Sequence, residues 1–93
     1  MKEFIKIGGL NYRVSQVENL ARDNGALGRC CGNSRTIEID SNLDEQVKEK
    51  TLIHEIIEAI NFENQLNLEH WKISVLESSI YQILKDNGGI IDV

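Results

Sequence analysis

Ninety-three residues, 41% of them apolar and 27% charged, are enough for one hydrophobic core and not two, so residues 1–93 read as a single domain. No proline, Ser/Gly-rich linker, repeat or apolar run of membrane length occurs, which argues against linked modules, solenoids and membrane spans. The net charge of −5 is unevenly spread: residues 1–36 carry six Lys/Arg against three acids (+3), residues 37–93 four Lys against twelve acids (−8), a field that attracts cations and disfavours nucleic acid.

The opening Met1-Lys2-Glu3-Phe4 lacks the long apolar region of a signal peptide, so a cytoplasmic protein is expected. Phe4-Ile5-Lys6-Ile7 and Leu10-Asn11-Tyr12-Arg13-Val14 are rich in β-formers, and Gly8-Gly9 supplies the positive φ of a two-residue hairpin loop. Leu10, Tyr12 and Val14 alternate with polar residues, as in a strand with one buried face. Ser15-Gln16-Val17-Glu18 fits a capping box for a short helix closed by Asn24-Gly25. A second hairpin is predicted from strands near 27–31 and 36–40 around Gly32-Asn33-Ser34-Arg35. Its adjacent Cys30 and Cys31 should point to opposite faces, which suits reduced structural thiols better than a shared ion or a disulfide.

Ser41-Asn42-Leu43-Asp44 reads as the N-cap of a helix running to about Asn64. Projected from Val47 at 100° per residue, Leu52, Ile53, Ile56, Ile57, Ala59 and Ile60 cover an arc from roughly 120° to 280°, which predicts the core face. His54 and Glu58 lie opposite it, four residues apart and one above the other, the spacing at which two side chains share one ion. Glu55 projects roughly 100° further round, where it could touch a water held by that ion.

A second helix is expected from near Asn67 to Asn87-Gly88. Its Ile73, Leu76, Ile80, Ile83 and Leu84 form the predicted core arc, with His70 and Glu77 on its flank. The short connection from Glu63 to Leu66 makes the two helices an antiparallel hairpin and brings His70 towards His54 and Glu58. Two imidazoles and one carboxylate are the ligand inventory of a catalytic zinc site with one position left for water. A metal-free His-Glu hydrogen-bond network answers to the same pattern. Ser74, Ser78 and Ser79 read as helix-surface residues, and no other nucleophile stands out.

The segment Thr51-Leu52-Ile53-His54-Glu55-Ile56-Ile57-Glu58 resembles the motif helix of the zincin metallopeptidases, His-Glu-x-x-His. It is similar in particular to small zinc-peptidase-like proteins of phages and prophages, with a short sheet before the motif and a helix carrying another ligand after it. The resemblance implies a minimal zincin-like α+β fold, two hairpins forming a small antiparallel sheet followed by a helical hairpin. It implies Zn2+ held by His54, by Glu58 in place of the usual His, and by His70, with Glu77 as an additional ligand or as a group that supports one from behind, and Glu55 as general base. Two functions follow from it: a zinc peptidase acting on a peptide or protein substrate, held along an edge strand near Ile37–Ile39, or an inactive accessory protein that binds a protein partner. Trp71 and Val75 fall outside the predicted core arc, so they should be exposed and form a homodimer or partner surface. Burial of Trp71 under the N-terminal segment or the Gly25 loop is the alternative.

Overall fold

The structure, a computed structural model, describes residues 1–88. Strands β1 (Phe4–Ile7) and β2 (Leu10–Val17) form the first hairpin, and both loop glycines have positive φ, Gly8 at 60° and Gly9 at 80°. A short helix, α1 (Leu20–Asn24), leads to the second hairpin, β3 (Gly28–Cys31) and β4 (Thr36–Asp40). Two long helices follow, α2 (Glu45–Asn64) and α3 (His70–Asp86). The fold is α+β, with both expected hairpins in place.

The hairpins join through a parallel pair, β2 with β4, so the sheet is mixed and its order is β1-β2-β4-β3. Hairpin periodicity does not specify that pairing. It runs through Ser15, Gln16 and Val17, which pair with Glu38, Ile39 and Asp40; the predicted capping box at Ser15 is therefore strand, and α1 starts after Asn19, whose side chain makes no capping bond and accepts from Asn42 instead. The parallel arrangement also puts β4 inside the sheet. The Ile37–Ile39 segment is not an edge, and β3 is the edge strand on that side.

Alternation along β2 and β4 sends Tyr12, Val14, Ile37 and Ile39 to one face, where they are buried with Ile7 against Ala59, Leu52 and Ile56 of α2. Burial of that kind contributes roughly 1.5–3 kcal/mol per large side chain. Asp40 closes the far end: its carboxylate accepts from the amides of Ala21 and Asn42, at 2.8 Å each, and these bonds hold its pKa below the usual carboxylate range. The cap of α2 is Asp44, which accepts from the Val47 amide at 3.0 Å. Ser41 lies outside the helix; the acid expected to complete the box is itself the cap.

Helix α3 packs on α2 and not on the sheet. The expected core arc of α3 is corrected accordingly. Ile73 is buried, but Leu76, Ile80 and Ile83 keep 41%, 38% and 40% of their surface, and Leu84 is exposed as well. Trp71 and Val75 are exposed, as their position outside the arc requires. Among the described residues, no helix is long and apolar enough to cross a membrane.

Candidate metal centre

Two neighbours share the apolar surface of α2, which explains how the site is built. The residues facing the sheet are Thr51, Leu52, Glu55, Ile56 and Ala59, a face centred on roughly 110° of the projection. Ile53 and Ile60, at roughly 220–240°, lie on the side towards α3 and solvent. A single arc drawn through both sets is too far round. Glu55, expected on the face away from the core, is consequently one of the most buried residues in the chain, 6% exposed.

His54 and Glu58 stand at the seam between the sheet face and α3, and His70 opens α3 across from them. Glu58 Oε2 lies 3.8 Å from His54 Nε2 and 3.9 Å from His70 Nδ1. The two imidazole rings are 5.0 Å apart between centroids. One ligand atom from each of the three residues falls within 4.8 Å of the others. Bonds of about 2.0–2.2 Å in a tetrahedral zinc site set neighbouring ligand atoms about 3.3 Å apart, so the three donors fit a zinc ion after side-chain rotations of under an ångström or so.

The chemistry of the donor set supports that fit. His54 Nδ1 is 3.0 Å from Glu77 Oε1, and a carboxylate only accepts, so in the neutral imidazole this contact selects the tautomer with its proton on Nδ1 and turns the Nε2 lone pair towards Glu58. Outer carboxylates orient metal-binding imidazoles in this way. Glu77 is held in turn by Lys50 Nζ at 3.5 Å from its other oxygen. Glu77 thus meets His54 from behind, on the ring edge opposite Glu58. The two histidines differ: the His54 side chain is 12% exposed, whereas that of His70 is 75% exposed and free to swing.

Glu55, buried, lines the same cleft as the three donors. Burial, then the charges of Glu58 and Glu77, push its carboxyl pKa up to about 7. Cys30, on β3 across from α2, is pushed up to about 12, by burial first and then by Glu55 and Glu58, which keeps it a neutral thiol. Cys31 faces the other way and is exposed.

Two open clefts meet at this point. One, of about 960 Å³, lies between the edge strand β3 and the C-terminal half of α2, with Arg29, Glu58 and Phe62 on its walls. The other, of about 450 Å³, runs past Leu27, Lys50, Ser74 and Glu77. Gly28, His54, Glu55 and His70 line both.

Gly28 was not singled out from the sequence, yet it permits the close approach of β3 to α2. A Cβ there would stand 2.7 Å from Thr51 Cγ2, 3.0 Å from the Glu38 carbonyl oxygen and 3.2 Å from Glu55 Oε2. Its signal was a glycine at the start of a strand otherwise able to carry side chains. Gly32 does the same for the ring of Phe62. Compared with known protein families, curated proteins and solved structures, the chain finds no match in any of the three.

Proposed function

We propose that this is a cytoplasmic zinc-dependent peptidase-like protein, in which His54, Glu58 and His70 hold one Zn2+ and Glu55 is the general base. The observation that carries this reading is the convergence of two imidazoles and a carboxylate in a cleft that a buried carboxylate also lines, with Glu77 within hydrogen-bond distance of the inner imidazole's Nδ1. Zinc bound there would polarise a peptide carbonyl and lower the pKa of its own water.

The protein's residues supply the rest. Glu55 takes the proton of the attacking water on its carboxylate and can return it to the leaving amine; an affinity raised by burial suits both transfers near neutral pH. With a cation held by the three donors, Glu55 would have a somewhat lower pKa and so start as the base. Strand β3, with β4 on its inner side, offers its outer backbone to an extended peptide lying in the larger cleft. Glu58 in place of a second imidazole leaves the ligand set at two His and one Glu.

A second reading rests on the open apolar face of α3: a catalytically silent accessory protein, like those of phages or prophages, that keeps the site and acts by binding another protein. Assays of zinc-loaded protein against a broad peptide library distinguish the two. Hydrolysis that Glu55→Gln abolishes at unchanged zinc content supports the peptidase. No hydrolysis by zinc-loaded wild type leaves the accessory role.

A further inference from the structure

Leu76, Ile80 and Ile83 recur at the i, i+4, i+7 spacing of a helix-packing stripe, yet among the described residues the packing of α2 leaves 41%, 38% and 40% of their surface exposed. Beside them, on the outer flank, Lys72, Ser79 and Asp86 follow one another at seven-residue intervals. Lys85 is turned back to Glu49 of α2 at 3.4 Å, whereas the exposed Lys72 and Asp86 have partners only within or beside their own helix, Glu69 at 3.8 Å and Gln82 at 3.0 Å, and stand as opposite charges at the two ends of the stripe. A helix of 17 residues is about 25 Å long, with Ser79 near its middle.

This arrangement is complementary to itself. When a second α3 is laid antiparallel across the first with Ser79 at the crossing, Ile80 of one copy meets Leu76 of the other. Lys72 then comes opposite Asp86, and by symmetry Asp86 opposite Lys72. The small Ser79 side chains let the backbones approach. A parallel or shifted pairing would lose both ion pairs.

We infer that the chain forms a two-fold homodimer through α3, with Leu76, Ile80 and Ile83 at its centre and Lys72–Asp86 pairs at both ends. The α2–α3 hairpins of the two copies then form a four-helix layer, with the sheets outside. Val75 joins the rim. The Trp71 indole N–H is satisfied by Glu69 Oε2 at 3.0 Å and lies on the side turned away from the stripe, so Trp71 is not at the centre.

Sedimentation equilibrium of the full chain between about 1 and 200 μM tests the inference. Wild type is expected to dimerise, and Ile80→Glu to weaken the dimer about a hundredfold or more while keeping its circular dichroism. Lys72→Asp and Asp86→Lys each create two like-charge contacts and should each weaken it about tenfold; the double variant, K72D/D86K, should return to within about twofold of wild type. Both charged sites are exposed, so these variants decide the matter even if Ile80→Glu does not fold. A wild type that stays monomeric to 200 μM, or a double variant no tighter than the singles, overturns the α3 dimer.

Discussion

The two sides of α2 are held in different ways. Towards the sheet, α2 meets an interior where Tyr12, Ile37, Ile39 and Ala59 are fully buried; towards α3, it meets a helix with one buried aliphatic residue, Ile73. Yet the proposed metal centre is divided between them. His54, Glu55 and Glu58 belong to the helix that faces the core, whereas His70 and Glu77 arrive on the helix with the single buried aliphatic residue. An element with few buried apolar contacts lies at the low end of local stability, so a shared ion and a second copy are the natural means of fixing α3.

The largest effect should come from deleting core volume on the sheet side. Ile39→Ala is expected to lower the unfolding free energy by about 2–5 kcal/mol, and Ile80→Ala by under about 1 kcal/mol when both are measured as monomers in urea. Equal losses would show α3 to be as well anchored as the sheet.

Zinc should tighten the weaker half. At a free concentration one hundred times its Kd, the ion is expected to add about 2.7 kcal/mol to stability, raising the melting temperature of wild type and not of His54→Ala or His70→Ala. Hydrogen exchange should slow mainly in α3. Glu77→Gln, which leaves all three donors in place, should weaken zinc binding about 10–100-fold in a competition titration, because the amide orients His54 less firmly and makes it a weaker base.

The smallest effect concerns Glu55 in metal-free protein. Its pKa is raised on folding, so its contribution is whole below the ordinary glutamate range and is lost as pH rises towards about 7. Glu55→Gln should therefore be more stable than wild type at pH 8, by on the order of 1–2 kcal/mol, and no more stable at pH 4. A gain at both pH values would mean that packing, not charge, separates the two.

Local patterns made the sheet side largely legible: the Gly8-Gly9 turn, the burial of Tyr12 and Val14 in β2, though Leu10 at the turn end of that strand stays exposed, and the placement of Cys30 and Cys31 on opposite faces all follow from short-range geometry. Where local signals compete, tertiary pairing decides, as when the parallel partner β4 draws Ser15–Val17 into a strand against their capping pattern. The grouping of His54, Glu58 and His70 was also readable, from helical spacing and a short connection. The burial of Glu55 was not, because a projection sums the apolar contacts of two neighbours into one arc and cannot say which part belongs to which. Nor could the face of α3 be assigned: an apolar stripe has the same sequence whether its partner is the same chain or a second copy.

Zinc content after equilibrium dialysis of tag-free protein tests the metal centre most directly, with wild type compared against His54→Ala, Glu58→Ala and His70→Ala. One zinc per chain is expected in wild type, with less than about a tenth of that in the His54 and Glu58 variants and a strongly weakened site in the His70 variant. Wild type that retains no zinc, or a full equivalent retained when His54 or Glu58 is replaced, would contradict a metal centre built from these three residues.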